Sequence, residues 1–161
     1  APPTVAIGML ADPERGFKDT ARNILDTGEF VVNLVPERLV RAMNVTAVDA
    51  PPEIDELALA KLETAPSVRV KPPRIASSPV SFECVSLSSV VTGPGQVVVI
   101  GRVLAVHVAD DCVLDAKNAY IDTPKLDLVG RMHGRGWYTS TRDRVEMPRI
   151  SVADWEAKKK S

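Results

Sequence analysis

The sequence predicts a mainly β protein with short helices, built around a small barrel. Two β-rich runs, residues 80–91 and 96–108, are joined by Thr92-Gly93-Pro94-Gly95, whose turn chemistry predicts a hairpin. Alternate residues of the second run place apolar side chains on both of its faces, so both faces must be covered. A barrel whose outer wall meets helices or another subunit explains this pattern better than an open sandwich with one wet face.

Composition limits the protein to one ordinary globular domain. The chain has 161 residues, of which 45% are hydrophobic and 25% charged, and its net charge is -1. Basic residues are spread out, and the run Lys158-Lys159-Lys160 stands at the end, where a solvated or disordered tail is expected. We therefore expect no nucleic-acid partner.

Cysteine and hydropathy patterns indicate a reduced cytoplasmic protein. Cys84 and Cys112 lie in apolar, strand-like contexts without a CxxC pair or histidines at metal spacing, so neither a zinc site nor a disulfide framework is indicated. No apolar run reaches the length of a membrane span, and no segment suggests secretion. We expect no metal and no membrane contact.

The first half of the chain predicts a strand, a helix and a second strand. An apolar run over residues 4–9 is followed by a helix with Asp19 or Thr20 as its N-cap and a stop at Thr27-Gly28. Residues 30–35 are apolar on both faces apart from Asn33, which suits a strand buried on two sides. Asn33 should therefore have a hydrogen-bond partner.

The middle of the chain predicts short helices and a covering segment. A helix can start at Pro36 and end near Asn44, and residues 55–62 could form another. Lys71-Pro72-Pro73-Arg74 forces an extended passage. This segment is expected to cover something, and Glu83, in an otherwise apolar strand further on, needs a partner for its charge.

The helix start at Lys18-Asp19-Thr20 is the first candidate site. Backbone N–H groups without intrahelical partners and the helix dipole attract anions there, and Lys18 and Thr20 would add a cation and a hydroxyl. The spacing is equally compatible with a solvated helix cap. At this point a phosphate site and a solvated helix cap are the two hypotheses.

A glycine-rich loop near the C-terminus is the second candidate. Residues 128–138 combine glycines, basic side chains, His133, Trp137 and Tyr138, which could line a planar ligand. An ordinary loop with a packed tryptophan is the alternative. His107 is most simply a strand-end residue with a hydrogen-bonded ring, and no hydrolase motif accompanies either histidine. A cofactor would have to carry any chemistry.

An ordered series of motifs resembles the flavin reductase-like family of FMN-binding split barrels. The series runs through Pro3-Thr4-Val5-Ala6-Ile7-Gly8, Lys18-Asp19-Thr20-Ala21-Arg22-Asn23-Ile24, Gly28-Glu29-Phe30-Val31-Val32-Asn33-Leu34, Lys71-Pro72-Pro73-Arg74-Ile75, Phe82-Glu83-Cys84, Ile100-Gly101-Arg102-Val103, Leu128-Val129-Gly130-Arg131 and Tyr138. Each piece is short, but together they span almost the whole chain in order.

The resemblance implies a dimeric Greek-key split barrel with FMN near the subunit interface, which takes hydride from NAD(P)H and passes electrons to an oxygenase or another acceptor. It implies that Lys18 and Thr20 bind the FMN phosphate, that Asp19 caps the helix or touches the ribityl chain, and that Asn33 braces the neighbouring strand within the cofactor site. The loop carrying Gly130, Arg131, His133 and Tyr138 would approach the flavin or the nicotinamide.

Two departures from the family pattern shape the expectation. The chain begins at what resembles the third strand of the family, so the split-barrel domain, residues 1–152, is expected to lack its first strands and part of the flavin pocket, with residues 153–161 as a charged tail. The stretch from Met132 to Trp137 is more basic and bulkier than its family counterpart, which bears on substrate specificity.

Two functions remain in competition. The first is an NAD(P)H-dependent, FMN-binding oxidoreductase. The alternative is a split-barrel dimer that binds flavin without turnover or serves only a structural role.

Overall fold

Strands account for most of the regular structure, as the sequence predicts. The computed structural model describes residues 2–12, 16–48, 50–51 and 53–159. The strands are β1 (Thr4–Asp12), β2 (Gly16–Phe17), β3 (Glu29–Asn33), β4 (Thr64–Ala65), β5 (Arg74–Ile75), β6 (Val80–Gly93), β7 (Gln96–Val108), β8 (Val113–Asp115), β9 (Tyr120–Ile121), β10 (Val129–Arg131) and β11 (Tyr138–Ser140). The α-helices are α1 (Asp19–Thr27), α2 (Val40–Val45), α3 (Glu56–Leu59) and α4 (Val152–Lys159).

One antiparallel sheet organises the described residues. Its strand order is β2-β1-β7-β6-β3. The predicted hairpin is confirmed: β6 and β7 pair along their length and turn at Pro94-Gly95. Val5 pairs with Gly101, and Phe30 pairs with Cys84, so β7 and β6 form the centre of the sheet.

The main core lies on one face of this sheet. Val97 and Val99 of β7 are fully buried there, and Ala21 and Ile24 of α1 pack against them together with Phe30. Helix α1 therefore covers the inner face of the sheet. A second, smaller cluster joins Val80, Cys112 and Leu126 beyond the end of the sheet.

Parts of β7 remain open in the single chain. Ile100, Leu104 and Val106 are 39%, 36% and 53% exposed. The register shift at Glu83 and Cys84 pairs Val106 with Phe82, so Val106 and Ile100 lie on opposite faces of the sheet. Among the described residues, the expectation that both faces are covered is therefore met only in part.

The ends of helix α1 differ in how well the sequence predicts them. Gly28 terminates it with φ = 70° and donates its N–H to the carbonyl of Ile24 at 2.8 Å, as expected. At the start, Lys18 occupies the N-cap position, so the prediction of Asp19 or Thr20 as the cap is wrong. Both are already inside the helix, because Lys18 itself has the extended backbone that a cap position requires.

The strand predicted for residues 30–35 is shorter than expected. Strand β3 ends at Asn33 and pairs only with β6, at the edge of the sheet. Phe30 is its one buried residue, and the other four are half-buried. The apolar pattern reflects packing of α1 on one face and a covering segment on the other.

The remaining helix predictions hold with changed boundaries. The helix from Pro36 begins as a 3₁₀ turn, Glu37–Leu39, and continues as α2 to Val45. Of residues 55–62, only α3 is helical, with the Asp55 carboxylate accepting N–H bonds from Leu57 and Ala58. The tail expected to be solvated forms helix α4, and Lys160 lies outside the described residues.

Candidate functional site

A cleft of about 480 Å³ runs along one face of helix α1, from Thr20 near its start to Thr27 at its end. This volume falls within the range of about 300–1,000 Å³ that is usual for small-molecule sites. Apolar side chains dominate its walls, with a few polar groups at the helix. The lining residues are Ile7, Met9, Thr20, Asn23, Ile24, Thr27, Glu29, Phe30, Val31, Pro72 and Pro73.

The helix start presents backbone N–H groups next to this cleft. No side chain among the described residues caps α1 at Lys18, so its first N–H groups have no capping acceptor. Thr20 lines the cleft, while Lys18 and Asp19 are exposed just before it and are not part of its lining. An uncapped helix start of this kind favours an anion.

Arg22 adds a cation at the same helix start that the predicted site residues did not include. Its guanidinium donates to the Asp19 carboxylate at 3.3 Å and to the carbonyl of Phe17 at 3.1 Å. The Asp19 carboxylate is thereby held by an i, i+3 pair on the exposed face of α1. The spacing of Asp19 and Arg22 was the sequence signal for this contact.

Asn33 lies away from the other predicted cofactor residues. Glu29 and Val31, at the start of β3, line the first cleft, whereas Asn33, at its end, lines a second cleft of about 280 Å³. Four residue steps of strand separate Glu29 from Asn33, which is about 13 Å. The structure thus groups Thr20 with one cleft and Asn33 with another.

The expected partner of Asn33 is present. Its Oδ1 accepts the backbone N–H of Ile75 at 3.0 Å and the hydroxyl of Ser81 at 2.9 Å. The side chain therefore ties β3 to β5 and β6. This contact braces the end of β3, beside the second cleft.

The glycine-rich loop is a hairpin made by β10 and β11. Arg131 donates to the hydroxyl of Tyr138 at 3.0 Å and to the carbonyl of Gly134 at 2.8 Å. The Tyr138 hydroxyl also contacts Met43 Sδ at 3.8 Å, and Met43 lines the second cleft. Gly130 pairs with Thr139 inside the hairpin. The loop and Asn33 consequently belong to the same side of the molecule.

His133 and Trp137 form the tip of this hairpin. Their rings stack with centroids 6.3 Å apart and an interplanar angle of 15°. Trp137 is 63% exposed, so the expectation of a packed tryptophan is wrong. The stacked pair presents an aromatic surface to solvent.

Glu83 is the one fully buried charged residue among the described residues. Its carboxylate accepts the N–H groups of Val68 at 2.8 Å and Arg69 at 2.6 Å, and its Oε1 lies 2.5 Å from His107 Nε2. Burial by itself raises the pKa of Glu83, but the hydrogen bonds from Val68, His107 and Arg69 outweigh it and hold the pKa below its ordinary value. Glu83 was predicted to need a partner and His107 to have a hydrogen-bonded ring. The structure pairs these two residues with one another.

Sequence reasoning missed most of the cleft. Ile7, Met9 and Phe30 were assigned to strands, and their convergence on one cleft depends on how the sheet curls around α1. The segment that contains Pro72 and Pro73 was predicted to cover another part of the molecule. The structure places both prolines in the wall of the cleft.

The cysteines, the candidate metal ligands and the helices of the described residues concern the remaining expectations. Cys84 and Cys112 are both free and buried, and burial raises the pKa of the Cys84 thiol to about 11. Within the described ranges, no group of three or more His, Cys, Asp or Glu residues could hold a metal ion. None of the helices in those ranges has the length and apolar character needed to cross a membrane.

The chain belongs to the flavin reductase-like domain family, whose model matches residues 1–124. An uncharacterized protein of Deinococcus radiodurans is 41% identical over 155 residues, which are 96% of this chain and 68% of that protein. The predicted family is thus confirmed.

Solved structures agree with this assignment. Nitrilotriacetate monooxygenase component B from Bacillus cereus is 30% identical with a TM-score of 0.81, over 91% of this chain and 72% of that one. A protein with a split barrel domain from Shewanella frigidimarina is 21% identical with a TM-score of 0.76, over 92% of this chain and 72% of that one. The predicted mainly β split-barrel fold is confirmed, and the family supports a flavin-related oxidoreductase function.

Proposed function

We propose that the protein binds FMN and acts as an NAD(P)H-dependent oxidoreductase that passes electrons to an acceptor. The observation that carries the proposal is the cleft in which Thr20, at the uncapped start of α1, meets apolar walls from β1, β3 and Pro72-Pro73. A phosphate suits the first part of this cleft, and a planar, largely apolar ring suits the second.

The phosphate would be held by α1. The first N–H groups of the helix, the Thr20 hydroxyl and the Lys18 ammonium are the donors available at that end, and Arg22 adds positive charge. Asp19 is engaged with Arg22, which keeps its carboxylate paired rather than free to repel an anion. These donors fit a phosphate group.

The flavin ring would lie against the apolar part of the cleft. Ile7, Met9 and Phe30 provide such a surface, and Pro72-Pro73 limits access of water from the other side. Bound FMN would supply the redox chemistry, since its ring takes up hydride from a nicotinamide nucleotide and releases electrons to an acceptor. The residues of this chain bind and orient the reactants, so no acid or base side chain is required.

We assign the β10–β11 hairpin to the co-substrate side. Tyr138 contacts Met43 in the wall of the second cleft. The same hairpin carries Gly130, Arg131 and His133, and its exposed Arg131 and the His133–Trp137 stack offer a charge and an aromatic face. Asn33 braces the same region. This arrangement supports docking of the nicotinamide nucleotide on the hairpin side, from which its ring would have to reach the flavin in the first cleft for hydride to pass directly.

We further propose that the protein works as a homodimer in the cytoplasm. The exposed apolar side chains Leu104 and Val106 of β7 support a subunit contact, and two free buried thiols suit a reducing compartment. Similarity to a monooxygenase component supports an oxygenase as one candidate acceptor.

The test uses the full-length protein that contains this sequence. Titration with FMN, followed by flavin fluorescence, should show binding, and addition of NADH or NADPH with an electron acceptor should then oxidise the nucleotide. Flavin binding without nucleotide oxidation would favour the carrier alternative. No flavin binding at all would exclude both.

A further inference from the structure

Residues 66–73, which we call the strap, are fastened to the sheet through side chains. No backbone N–H or C=O of the strap pairs with another backbone group in the described part of the chain. Instead, three side-chain acceptors on one face of β3 and β6 bind backbone N–H groups in and just after the strap. Glu29 accepts from Lys71 at 2.8 Å, Glu83 accepts from Val68 and Arg69, and Asn33 accepts from Ile75.

The strand register explains why these acceptors form a row. Glu29, Val31 and Asn33 alternate along β3 and so share one face, and Val31 pairs with Glu83 on β6. Glu83 therefore lies between Glu29 and Asn33, beneath the middle of the strap. It is the only one of the three acceptors that is completely buried among the described residues.

The strap also forms part of the candidate cofactor cleft. Pro72 and Pro73 line that cleft with Thr20 and Phe30. Inside the strap, the Ser67 hydroxyl donates to the carbonyl of Pro72 at 2.6 Å. If Val68 and Arg69 moved, the Ser67–Pro72 hydrogen bond would therefore carry the movement to Pro72 and Pro73 in the cleft wall.

We propose that Glu83 is a positioning residue for the cofactor: its buried carboxylate fixes the strap, and the strap sets the position of Pro72-Pro73 in the cleft. The proposal rests on the proposed function and adds a determinant of flavin affinity outside the cleft itself. His107 completes the anchor, because its Nε2 holds the same carboxylate from the other side.

The anchoring role requires a carboxylate at position 83. Both oxygens of Glu83 accept backbone N–H groups at once, which an ionised carboxylate does well and an amide cannot, since one of its two polar atoms is an NH₂ donor. Glu83→Gln keeps the size of the side chain but places that NH₂ group against an N–H donor or against His107. The strap should then detach while the sheet keeps its pairing.

The experiment compares two variants of the full-length protein. Glu83→Gln tests the anchor, and Leu126→Ala is the control, because Leu126 is buried in the separate cluster with Val80 and Cys112 and lines neither cleft. For each variant we would measure FMN affinity by fluorescence and hydrogen exchange of the peptide that spans the strap. Glu83→Gln should weaken FMN binding by about tenfold or more, and strap exchange should accelerate.

The control separates positioning from general loss of stability. Leu126→Ala should lower the unfolding midpoint but leave FMN affinity and strap exchange within about twofold of wild type. If both variants weaken FMN binding equally, or if Glu83→Gln binds FMN normally although its strap exchanges faster, the positioning role is refuted while the proposed function stands.

A milder variant keeps the test available if Glu83→Gln does not fold. Ser67→Ala removes only the bond to the Pro72 carbonyl and should weaken FMN binding by about threefold. Unchanged affinity there would count against transmission through the strap. If wild type takes up no FMN, the proposed function fails, and unchanged strap exchange in Glu83→Gln or Ser67→Ala would then refute the anchor independently.

Discussion

Gly101→Ala should destabilise the protein, because Gly101 lies close to the Phe30 ring. A Cβ built on Gly101 would lie 2.3 Å from Cζ and 2.9 Å from Cε1 of Phe30, well inside contact distance. The Phe30 ring cannot simply swing away, since it is 5% exposed and packed between α1 and β7. Gly101→Ala therefore forces either the ring or the strands to move.

The magnitude follows from the overpacking this creates. Inserting a methyl group into a packed core costs about 1–3 kcal/mol, and the short distance to Phe30 places this variant in the upper half of that range. Gly8→Ala is the matched control: Gly8 is a β1 residue of the same sheet, and a Cβ there meets nothing within 4 Å. It should change the free energy of unfolding by less than about 0.5 kcal/mol.

Urea unfolding monitored by circular dichroism checks both values, with equal m-values as the sign that the denatured states are comparable. The double variant Gly101→Ala/Phe30→Leu should recover part of the loss, because the shorter side chain vacates the contact. A Gly101→Ala variant as stable as Gly8→Ala would refute the placement of Phe30 against Gly101, and with it the inner wall of the cleft.

Three further predictions concern pH, thiol reactivity and assembly. The folded pKa of Glu83 is lowered, so its contribution to stability is present above pH 4.5 and is lost as the pH falls through the folded pKa; urea midpoints measured from pH 6 to pH 3 should fall less steeply in Glu83→Gln than in wild type. Cys84, buried and with its pKa raised to about 11, should react with Ellman's reagent at pH 8 only after unfolding, and rapid reaction in the native protein would contradict its burial. Leu104→Glu should convert a dimer to a monomer in light scattering, whereas Leu114→Glu, at a site 70% exposed on β8, should not; a wild-type monomer would contradict the proposed interface.

Local patterns predicted the elements whose ends are determined by their own residues. The β6–β7 hairpin follows from a Gly-Pro-Gly turn between two β-rich runs, and the end of α1 follows from Gly28, whose positive φ suits glycine. The extent of β3 was not predictable in this way. Its apolar run continues to Val35, but the strand stops at Asn33, where the pairing with Ser81 of β6 ends.

Of the candidate site, only the helix start could be located from the sequence. Lys18 and Thr20 are two positions apart, so spacing alone places both at the start of α1. The cleft walls come from β1, β3 and the strap, and their meeting depends on tertiary packing that no local pattern encodes. Asn33 was grouped with Lys18 by resemblance, yet β3 carries it toward the second cleft.

The most direct measurement of the central claim compares FMN with riboflavin, which lacks the phosphate. The full-length protein should bind FMN at least about tenfold more tightly than riboflavin, since charge-assisted hydrogen bonds contribute about 1.5–3 kcal/mol. In Lys18→Ala/Thr20→Ala that preference should fall, because only the helix N–H groups and Arg22 remain for the phosphate, while riboflavin affinity stays the same. Lys117→Ala, in the turn between β8 and β9, should keep the preference. Equal loss of both ligands, or an undiminished preference for FMN, would contradict a phosphate site at the start of α1.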